Sequence, residues 1–502
     1  MGKIEKYFQK IPFYFFPIIS GILLTLSFAP FNFSFLAWIS FLPLFYSLKD
    51  GRKAFLKGFI MGGTFFLTLL YWVPLSRVEN TVRFQVFLGS FLLIGYLSLF
   101  FGIAGVLYKK LQRLGATYLF PFIFSGLEFL RSLSSVWGFT WGSIGFSQSN
   151  LVRLIQFADI GGLPLVSFWV LSLNVILYLL FDDLFKKKKN VFISLFVFIA
   201  FIIIPFFYSE IQLNKKLEIS GYKKVVVIQP NILPLEKRSD RVKRLIKIKK
   251  TIENSPDADL YVLPETAFPF SPIDKIEKFF NDLAMEKRGS IITGMIDCEE
   301  NQEEVFYYNA AFVIDSGGIK GKYRKIYLLP FVERLPFDDV LPILRKIDLG
   351  QGQYTPGKDF SVFRENGLKF SIYICYEAIF PQLIREFVKR GANLLVNITE
   401  DGWFGETSGP YQHAQMAAFQ SIVFKRCIVR SANTGISFIS DPYGRVIYKT
   451  RIYKSTFIMG KVPLIEEKTI YTKIGNIFGW IFLCICIGIL FVFYKNDKKT
   501  KS

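Results

Sequence analysis

The alternation of apolar and polar positions divides the chain into three parts. Before residue 210 the apolar residues run in seven stretches, roughly 11 to 30, 34 to 48, 54 to 76, 84 to 108, 117 to 134, 163 to 181 and 191 to 208. A helix that crosses a bilayer needs about 20 mostly apolar residues, so the pattern predicts seven spans. The second is short, and the fifth carries Glu128 and Arg131. From about 210 to 470 no comparable run occurs, and residues 474 to 494 predict an eighth span before a basic tail. The expected organisation is a membrane domain at 1–209, a catalytic domain at 210–470, and a last span with its tail at 471–502.

The middle part has a different period. Its apolar runs are short, β-rich and bounded by turn residues, at 223–229, 258–265, 290–297, 307–315, 369–377, 392–399 and 427–440. Segments of helical period lie between several of them, at 273–287 and 380–392. Strands buried on both faces and alternating with helices predict a layered α/β domain. Neither G-x-G-x-x-G nor G-x-x-x-x-G-K-[ST] occurs, so nucleotide use has no support.

Composition agrees with two regions of different character. With 51% hydrophobic residues, 57 Phe among 502 positions and a mean hydropathy of +0.35, the chain is too apolar for a soluble protein. It is also too charged, at 61 Lys and Arg against 40 Asp and Glu, to be membrane throughout. Cysteines at 298, 375, 427, 484 and 486 form no pair pattern or metal spacing. A single histidine, His413, argues against a His-rich metal site or a Ser-His-Asp triad. No metal or cofactor is expected.

A net charge of +21 would usually suggest nucleic acid, so its location matters. Cytoplasmic loops should carry the Lys and Arg. With the N-terminus inside, the inner connections hold 18 basic residues, from Lys3, Lys6 and Lys10 through Lys186 to Lys189 to Lys495, Lys498, Lys499 and Lys501, against five acidic. The outer connections, with Arg77, Arg83, Arg131 and Arg153 against Glu79, Glu128 and Asp159, are nearly neutral. The remaining surplus, +7, lies between the seventh and eighth spans. The basicity is therefore an orientation signal. It predicts both termini in the cytoplasm, the 210–470 domain outside, and no nucleic-acid partner. The stretch KRSDRVKRLIKIKK, 237 to 250, reads either as a surface for anionic head groups or as a solvated helix face. Ser27-Phe28-Ala29 resembles a signal-peptide cleavage site, but Pro30 directly after it and the further spans argue against one.

Three polar residues end apolar runs of the middle domain, where sheets of this kind place their sites. Glu265 closes DLYVLPE, Lys325 lies in GKYRKIYLLPF, and Cys375 nearly closes FSIYICYE. Together they suit acyl transfer: a thiolate attacks a carbonyl, a carboxylate relays protons, and an ammonium stabilises the oxyanion. Each also has a plainer reading, as a core cysteine, a strand cap and a surface charge. Cys298 and Cys427 read as structural, Cys484 and Cys486 as residues of the last span, and His413 as a structural hydrogen-bonding group.

In order and context, LPE, YRKIYLLPF and ICYE resemble the Glu, Lys and Cys motifs of the nitrilase superfamily. SFAPFNFSFLAWISFLPLF (27 to 45), EFLRSLSSVWGFTWGSIGFSQSN (128 to 150) and the DGWFG, GPYQH and ANTGIS signatures within 401–446 are similar to its membrane-bound branch, the apolipoprotein N-acyltransferases. The resemblance implies an αββα nitrilase-like domain on about eight transmembrane helices in the bacterial inner membrane. It implies movement of an acyl chain from a phospholipid such as phosphatidylethanolamine to the N-terminal amine of an S-diacylglyceryl cysteine on a lipoprotein. Cys375 would carry the acyl group as a thioester, Glu265 would be the base and Lys325 would polarise the oxyanion. Glu333, Tyr376 and Glu377 match supporting positions, and Trp403 and Phe404 either line a mobile substrate loop or form a surface aromatic cluster. Two departures stand out: no Trp follows Gln229-Pro230-Asn231, and Val332 precedes Glu333 where a Gly is common.

Two rival readings remain at this level. One is a membrane-anchored amidase with water as acceptor. The other is a transporter or scaffold in which the buried ionisable pair Glu128 and Arg131 would be functional.

Overall fold

The computed structural model describes residues 12–50, 52–78, 80–134, 138–188, 190–233, 241–268, 274–301, 304–335, 338 and 352–499. Lys3, Lys6, Lys10, Glu79, Lys189, Lys501 and residues 237–240 of the basic stretch lie outside them.

The apolar stretches become helices of unequal length: α1 (Phe15–Leu26), α2 (Leu42–Ser47), α3 (Ala54–Leu69), α4 (Asn80–Arg113), α5 (Phe120–Ser132), α6 (Ala158–Phe185) and α7 (Val191–Asn214). Among the described residues, four helices are long and apolar enough to cross a membrane, at Arg83–Arg113, Ala158–Phe185, Val191–Asn214 and Ile477–Lys495. The expected eight spans are thus four long helices and four shorter elements. Local sequence accounts for the shortening. The first stretch stops at Leu26 ahead of Pro30, and the second opens as a 3₁₀ turn over Ser34–Trp38 before Pro43 starts α2. α5 has 13 residues and begins at Pro121.

After α7 the chain alternates strand and helix. The first sheet holds β1 (Ile219–Gln229), β2 (Leu260–Val262), β3 (Ser290–Glu300), β4 (Val305–Asp315) and β5 (Gly318–Arg324). Helices α8 (Arg241–Glu253) and α9 (Asp274–Lys287) connect its parallel strands β1, β2 and β3. The second sheet holds β6 (Phe363–Glu365), β7 (Leu368–Ile374), β8 (Leu394–Thr399), β9 (Ile428–Ala432), β10 (Phe438–Ser440) and β11 (Val446–Lys449). In it α10 (Pro381–Lys389) and α11 (Gly409–Phe424) join the parallel strands β7, β8 and β9. β12 (Thr456–Ile465) returns to pair antiparallel with β1, giving the orders β12-β1-β2-β3-β4-β5 and β11-β10-β9-β8-β7-β6. A short helix α12 (Ile470–Ile474) and the long α13 (Ile477–Lys499) follow.

The period of two decides which layer each strand residue joins. Val225 and Val227 pack between the sheets with Ile372 and Ile374. Val226 and Ile228 face outward onto Ile248 and Ile252 of α8 and Phe280 of α9. Each central strand is buried on both faces, and the layers run helix, sheet, sheet, helix.

The α11 side is fastened to the apolar helical part that precedes the sheets. Gln412 accepts from the indole N–H of Trp72 (3.2 Å) and of Trp141 (2.9 Å), and its amide donates to the carbonyls of Ala29 (3.3 Å) and Leu69 (3.1 Å). Thr140 donates to the Ile379 carbonyl at 2.6 Å.

Candidate active site

The parallel strands of both sheets deliver their carboxyl ends to one place, as open α/β sheets do. Glu265 lies three residues past β2, in a turn where Thr266 has φ +42°. β3 passes so close behind it that a Cβ on Gly294 would sit 2.5 Å from the Thr266 nitrogen and 2.7 Å from Glu265 Cα. Only glycine allows that approach. Lys325 directly follows β5, and its backbone N–H bonds to the Asn309 carbonyl on β4 at 2.8 Å.

Glu265, Lys325, Glu333 and Asn309 are all buried and meet in one cluster. The ammonium of Lys325 lies 3.0 Å from Glu333 Oε1, 2.8 Å from Glu333 Oε2 and 3.5 Å from Glu265 Oε1. Asn309 Nδ2 donates to Glu265 Oε1 and to Glu333 Oε1, each at 2.7 Å. The remaining carboxylate oxygens take backbone donors: Glu265 Oε2 accepts from the Glu400 N–H (2.9 Å) and Glu333 Oε2 from the Leu329 N–H (2.7 Å). Burial alone would lower Lys325, but the Glu333 and Glu265 carboxylates outweigh it and hold the ammonium above the ordinary lysine range.

Cys375 ends β7 and opens a 3₁₀ turn over Cys375–Ile379. Its φ of +51° is left-handed, a conformation that costs about 1–3 kcal/mol for a residue with a side chain and persists only where neighbours enforce it. The enforcing bonds are visible. Glu377 Oε2 accepts from the Ile374 N–H at 2.7 Å, on the strand side of the turn. Glu377 Oε1 accepts from Tyr323 Oη (2.8 Å) and from the Ile326 (2.7 Å) and Tyr327 (3.0 Å) N–H groups, which ties the Cys375 turn to the segment after Lys325. Burial still pushes the Glu377 carboxyl up to about 7. Tyr376 Oη donates to the Gly138 carbonyl at 2.9 Å, so the same turn is held by the apolar helical part.

The Cys375 thiol is half-buried. Burial pushes it above its usual value, the Glu265 carboxylate pushes the same way, and Lys325 opposes both. The surroundings therefore favour its thiol form over the thiolate.

His413 has a positioning part. Its Nε2 donates to the Cys375 carbonyl at 3.0 Å. Its Nδ1 faces Asp401 Oδ1 at 2.9 Å and Arg430 Nη2 at 3.1 Å. Burial lowers His413 and Arg430 adds to that. Burial opposes ionisation of Asp401, but the Arg430 guanidinium, His413 and the Thr399 hydroxyl together outweigh it and hold the carboxyl below its usual range. Arg430 also bonds Asn397 on β8.

Trp403 and Phe404 belong to the turn after Glu400 and behave differently. Phe404 packs on Trp72 (4.6 Å between ring centroids), near Trp141 (6.1 Å) and His413 (5.8 Å). Trp403 is 41% exposed, with its carbonyl accepting from the Arg77 N–H at 2.8 Å. Of the other cysteines, Cys427 and Cys486 are buried, and Cys298 and Cys484 are exposed. Asn309, Asp401 and Arg430 were not singled out from sequence. A polar residue inside the apolar run YYNAAFVID is the signal for the first, and DGWFG and CIVRSA hold the other two. Among the described residues, no group of three or more His, Cys, Asp or Glu side chains could hold a metal ion.

Glu128 and Arg131, the pair a transporter would need, serve the fold. Glu128 Oε1 accepts from the Ile144 N–H at 2.8 Å, and Arg131 donates to Ser143 Oγ at 3.2 Å.

Comparison with known proteins agrees with both halves of this architecture. Residues 20–176 match the family model of the apolipoprotein N-acyltransferase N-terminal domain, and residues 224–466 match that of carbon-nitrogen hydrolases. The apolipoprotein N-acyltransferase of Geobacter metallireducens is 32% identical over 93% of this chain and 92% of the relative. That of Chlorobaculum tepidum is 30% identical over 97% of this chain and 96% of the relative. A solved carbon-nitrogen hydrolase from Helicobacter pylori G27 aligns with a TM-score of 0.38 at 18% identity, over 48% of this chain and 89% of that one. The nitrilase-like α/β part carries the cysteine site, the apolar helices anchor it, and the chain belongs to the apolipoprotein N-acyltransferase family.

Proposed function

We propose that this acyltransferase moves an acyl chain from a phospholipid to the N-terminal amine of an S-diacylglyceryl cysteine on a lipoprotein, through a thioester on Cys375. The observation that carries the reading is the buried Glu265–Lys325–Glu333 cluster, coupled electrostatically to a cysteine on an enforced left-handed turn.

The cycle has two halves. Cys375 Sγ attacks the ester carbonyl while Glu265 takes the thiol proton, and the Lys325 ammonium stabilises the oxyanion. The carbonyl re-forms, the ester C–O bond breaks, and Glu265 returns the proton to the lysophospholipid oxygen. The acceptor amine then attacks the thioester, Glu265 takes an amine proton, and Cys375 leaves and is reprotonated. Glu333 fixes and balances the ammonium, and Glu377 and Tyr376 hold the nucleophile turn. Trp403, at the exposed edge, meets the incoming lipid, and Phe404 anchors that turn to the membrane part.

Charge alternation supports eight membrane-associated segments, both termini in the cytoplasm and the 210–470 domain on the outer face of the inner membrane, with divisions near 209/210 and 470/471. The donor then lies in the leaflet beside the site. A membrane-impermeant thiol reagent should label exposed Cys298 in intact spheroplasts; labelling only after lysis would reverse the topology.

The chemistry is tested by incubating purified protein with phosphatidylethanolamine and measuring the mass of the Cys375 peptide. An acyl adduct that a diacylglyceryl-cysteine peptide discharges is expected, and Cys375→Ala should abolish it. Amide hydrolysis with no adduct would replace the transferase reading by an amidase.

A further inference from the structure

We infer that Arg77 binds the phosphodiester of the acyl donor, making the rim of the site a recognition point for a phospholipid head group. The inference rests on the donor assignment above and adds the residue that reads it.

The segment after α3 meets the Asp401–Phe404 turn at Arg77. The Arg77 N–H donates to the Trp403 carbonyl at 2.8 Å, and Tyr71 Oη accepts from the Ser408 N–H at 3.2 Å. These bonds fix the Arg77 backbone against the site. Its guanidinium carbon lies 5.1 Å from the ring centroid of Tyr453. Gly405, at φ +65°, leaves room beside it: a Cβ there would stand 3.4 Å from Arg77 Nε. A stacked guanidinium spends its flat face on the ring and keeps its in-plane N–H groups for an acceptor. Among the described residues no carboxylate pairs with Arg77 and no acceptor takes its side-chain N–H groups.

The surroundings suit a lipid rather than a soluble anion. Leu75, two residues away, is 64% exposed and Trp403 is 41% exposed, so one cation sits on an apolar rim. Trp403 is three residues beyond Glu400, whose N–H holds the proposed base. Three residues reach at most about 10 Å. A phospholipid also carries its phosphate one glycerol unit from the ester carbonyl. In this proposal a head group at Arg77 directs the ester inward, towards the Glu265 end of the same turn.

Chemistry separates the two substrates. The donor has a phosphodiester, and the diacylglyceryl-cysteine acceptor has none, so Arg77 acts in the first half-reaction only. The test measures single-turnover thioester formation on Cys375 from phosphatidylethanolamine and from phosphate-free diacylglycerol in the same micelles. It also measures discharge of the thioester by a diacylglyceryl lipopeptide. Arg77→Gln should lower the phospholipid-to-diacylglycerol rate ratio about tenfold, the worth of one exposed charge-assisted contact. Arg77→Lys should restore part of the ratio, and discharge should proceed at the wild-type rate in both variants. An unchanged ratio, an equal fall with both donors, or a slower discharge would overturn the inference. A wild-type protein that forms no adduct from any donor would instead defeat the proposed function, and this inference with it.

Discussion

Replacing Asn309 with Leu removes the amide that ties Glu265 to Glu333. Two bonds of 2.7 Å to carboxylates disappear, and hydrogen bonds to charged groups are worth about 1.5–3 kcal/mol each. Lys325 stands 3.5 Å from Glu265 and can close on it, which recovers part of the loss. The Asn309 side-chain oxygen, Oδ1, has no partner among the described residues, so nothing is lost there. Leu fills a similar volume and opens no cavity. The net cost is therefore about 2–4 kcal/mol. In a domain of this size each kcal/mol moves the melting midpoint by about 2–4 °C, so a fall of roughly 4 to 16 °C is expected. The rate should suffer as well. Glu265 then keeps the Glu400 N–H and is drawn towards the Lys325 ammonium, and a displacement of about 1 Å can cost roughly 100-fold. Scanning fluorimetry in one detergent and the time course of the Cys375 adduct by intact mass read both effects. Asn309→Asp should be worse on each count, because it sets a third carboxylate beside one ammonium. Wild-type midpoint and rate in Asn309→Leu, or an Asp variant that outperforms it, would refute the reasoning.

Three further outcomes follow from the same contacts. Lys325→Met strands two buried carboxylates and should cost about 3–5 kcal/mol; adding Glu333→Gln should recover midpoint but no adduct, and recovered adduct would remove Lys325 from the chemistry. Glu377 sits at about 7 when folded against roughly 4.3 unfolded, so it favours folding while protonated, fully below the unfolded value, and that contribution is lost as pH rises through 7. The midpoint gap between wild type and Glu377→Gln should accordingly be larger at pH 5 than at pH 8, by an amount on the order of 3 kcal/mol, and a gap that widens with pH would mean its four donors, not burial, set its charge. His413→Phe orphans the Cys375 carbonyl and should slow thioester formation while lowering stability by about 1–3 kcal/mol; His413→Gln, which can still donate, should regain part of the rate, and equal damage in both would make the ring's packing its only use.

What could be read from sequence followed burial. The central strands β1 to β4 and β7 to β10 were legible as apolar runs because each is covered on both sides. β5, β6, β11 and β12 were not, and these are the four edge strands of the two sheets. One side of each meets solvent, so its residues mix exposures, and β12 even carries Pro463, which an edge tolerates. Helix α11 was hidden by its polar residues. Gln412 and His413 face inward to hold Trp72, Trp141 and the Cys375 carbonyl, so its buried face is not an apolar stripe. Glu265, Lys325 and Cys375 were visible as polar residues ending apolar runs. Asn309 lies within such a run, and the contacts of Asp401, His413 and Arg430 span 12 to 38 residues of sequence, a coupling that only packing reveals. Hydropathy overcounted long helices because it registers apolarity, while Pro30 and Pro43 mark where one helix has ended and the next begins.

The charges in the cluster also explain why a cysteine held as a thiol can serve. In the proposed cycle, two carboxylates, one ammonium and a neutral thiol give the buried group a starting net charge of −1. Ionising Cys375 alone would double that charge in a place where a second unpaired anion is costly, which is why Glu265 and burial both raise the thiol. Passing the proton to Glu265 during attack avoids the penalty. The negative charge moves from the Glu265 carboxylate to the oxyanion, Lys325 stays positive, and the total stays at −1 through thioester formation. Glu333 is needed in this scheme because Lys325 would otherwise pair fully with Glu265 and blunt the base. Its two contacts at 2.8 and 3.0 Å, against 3.5 Å to Glu265, hold the ammonium mainly on the spectator carboxylate and leave the base the weaker grip.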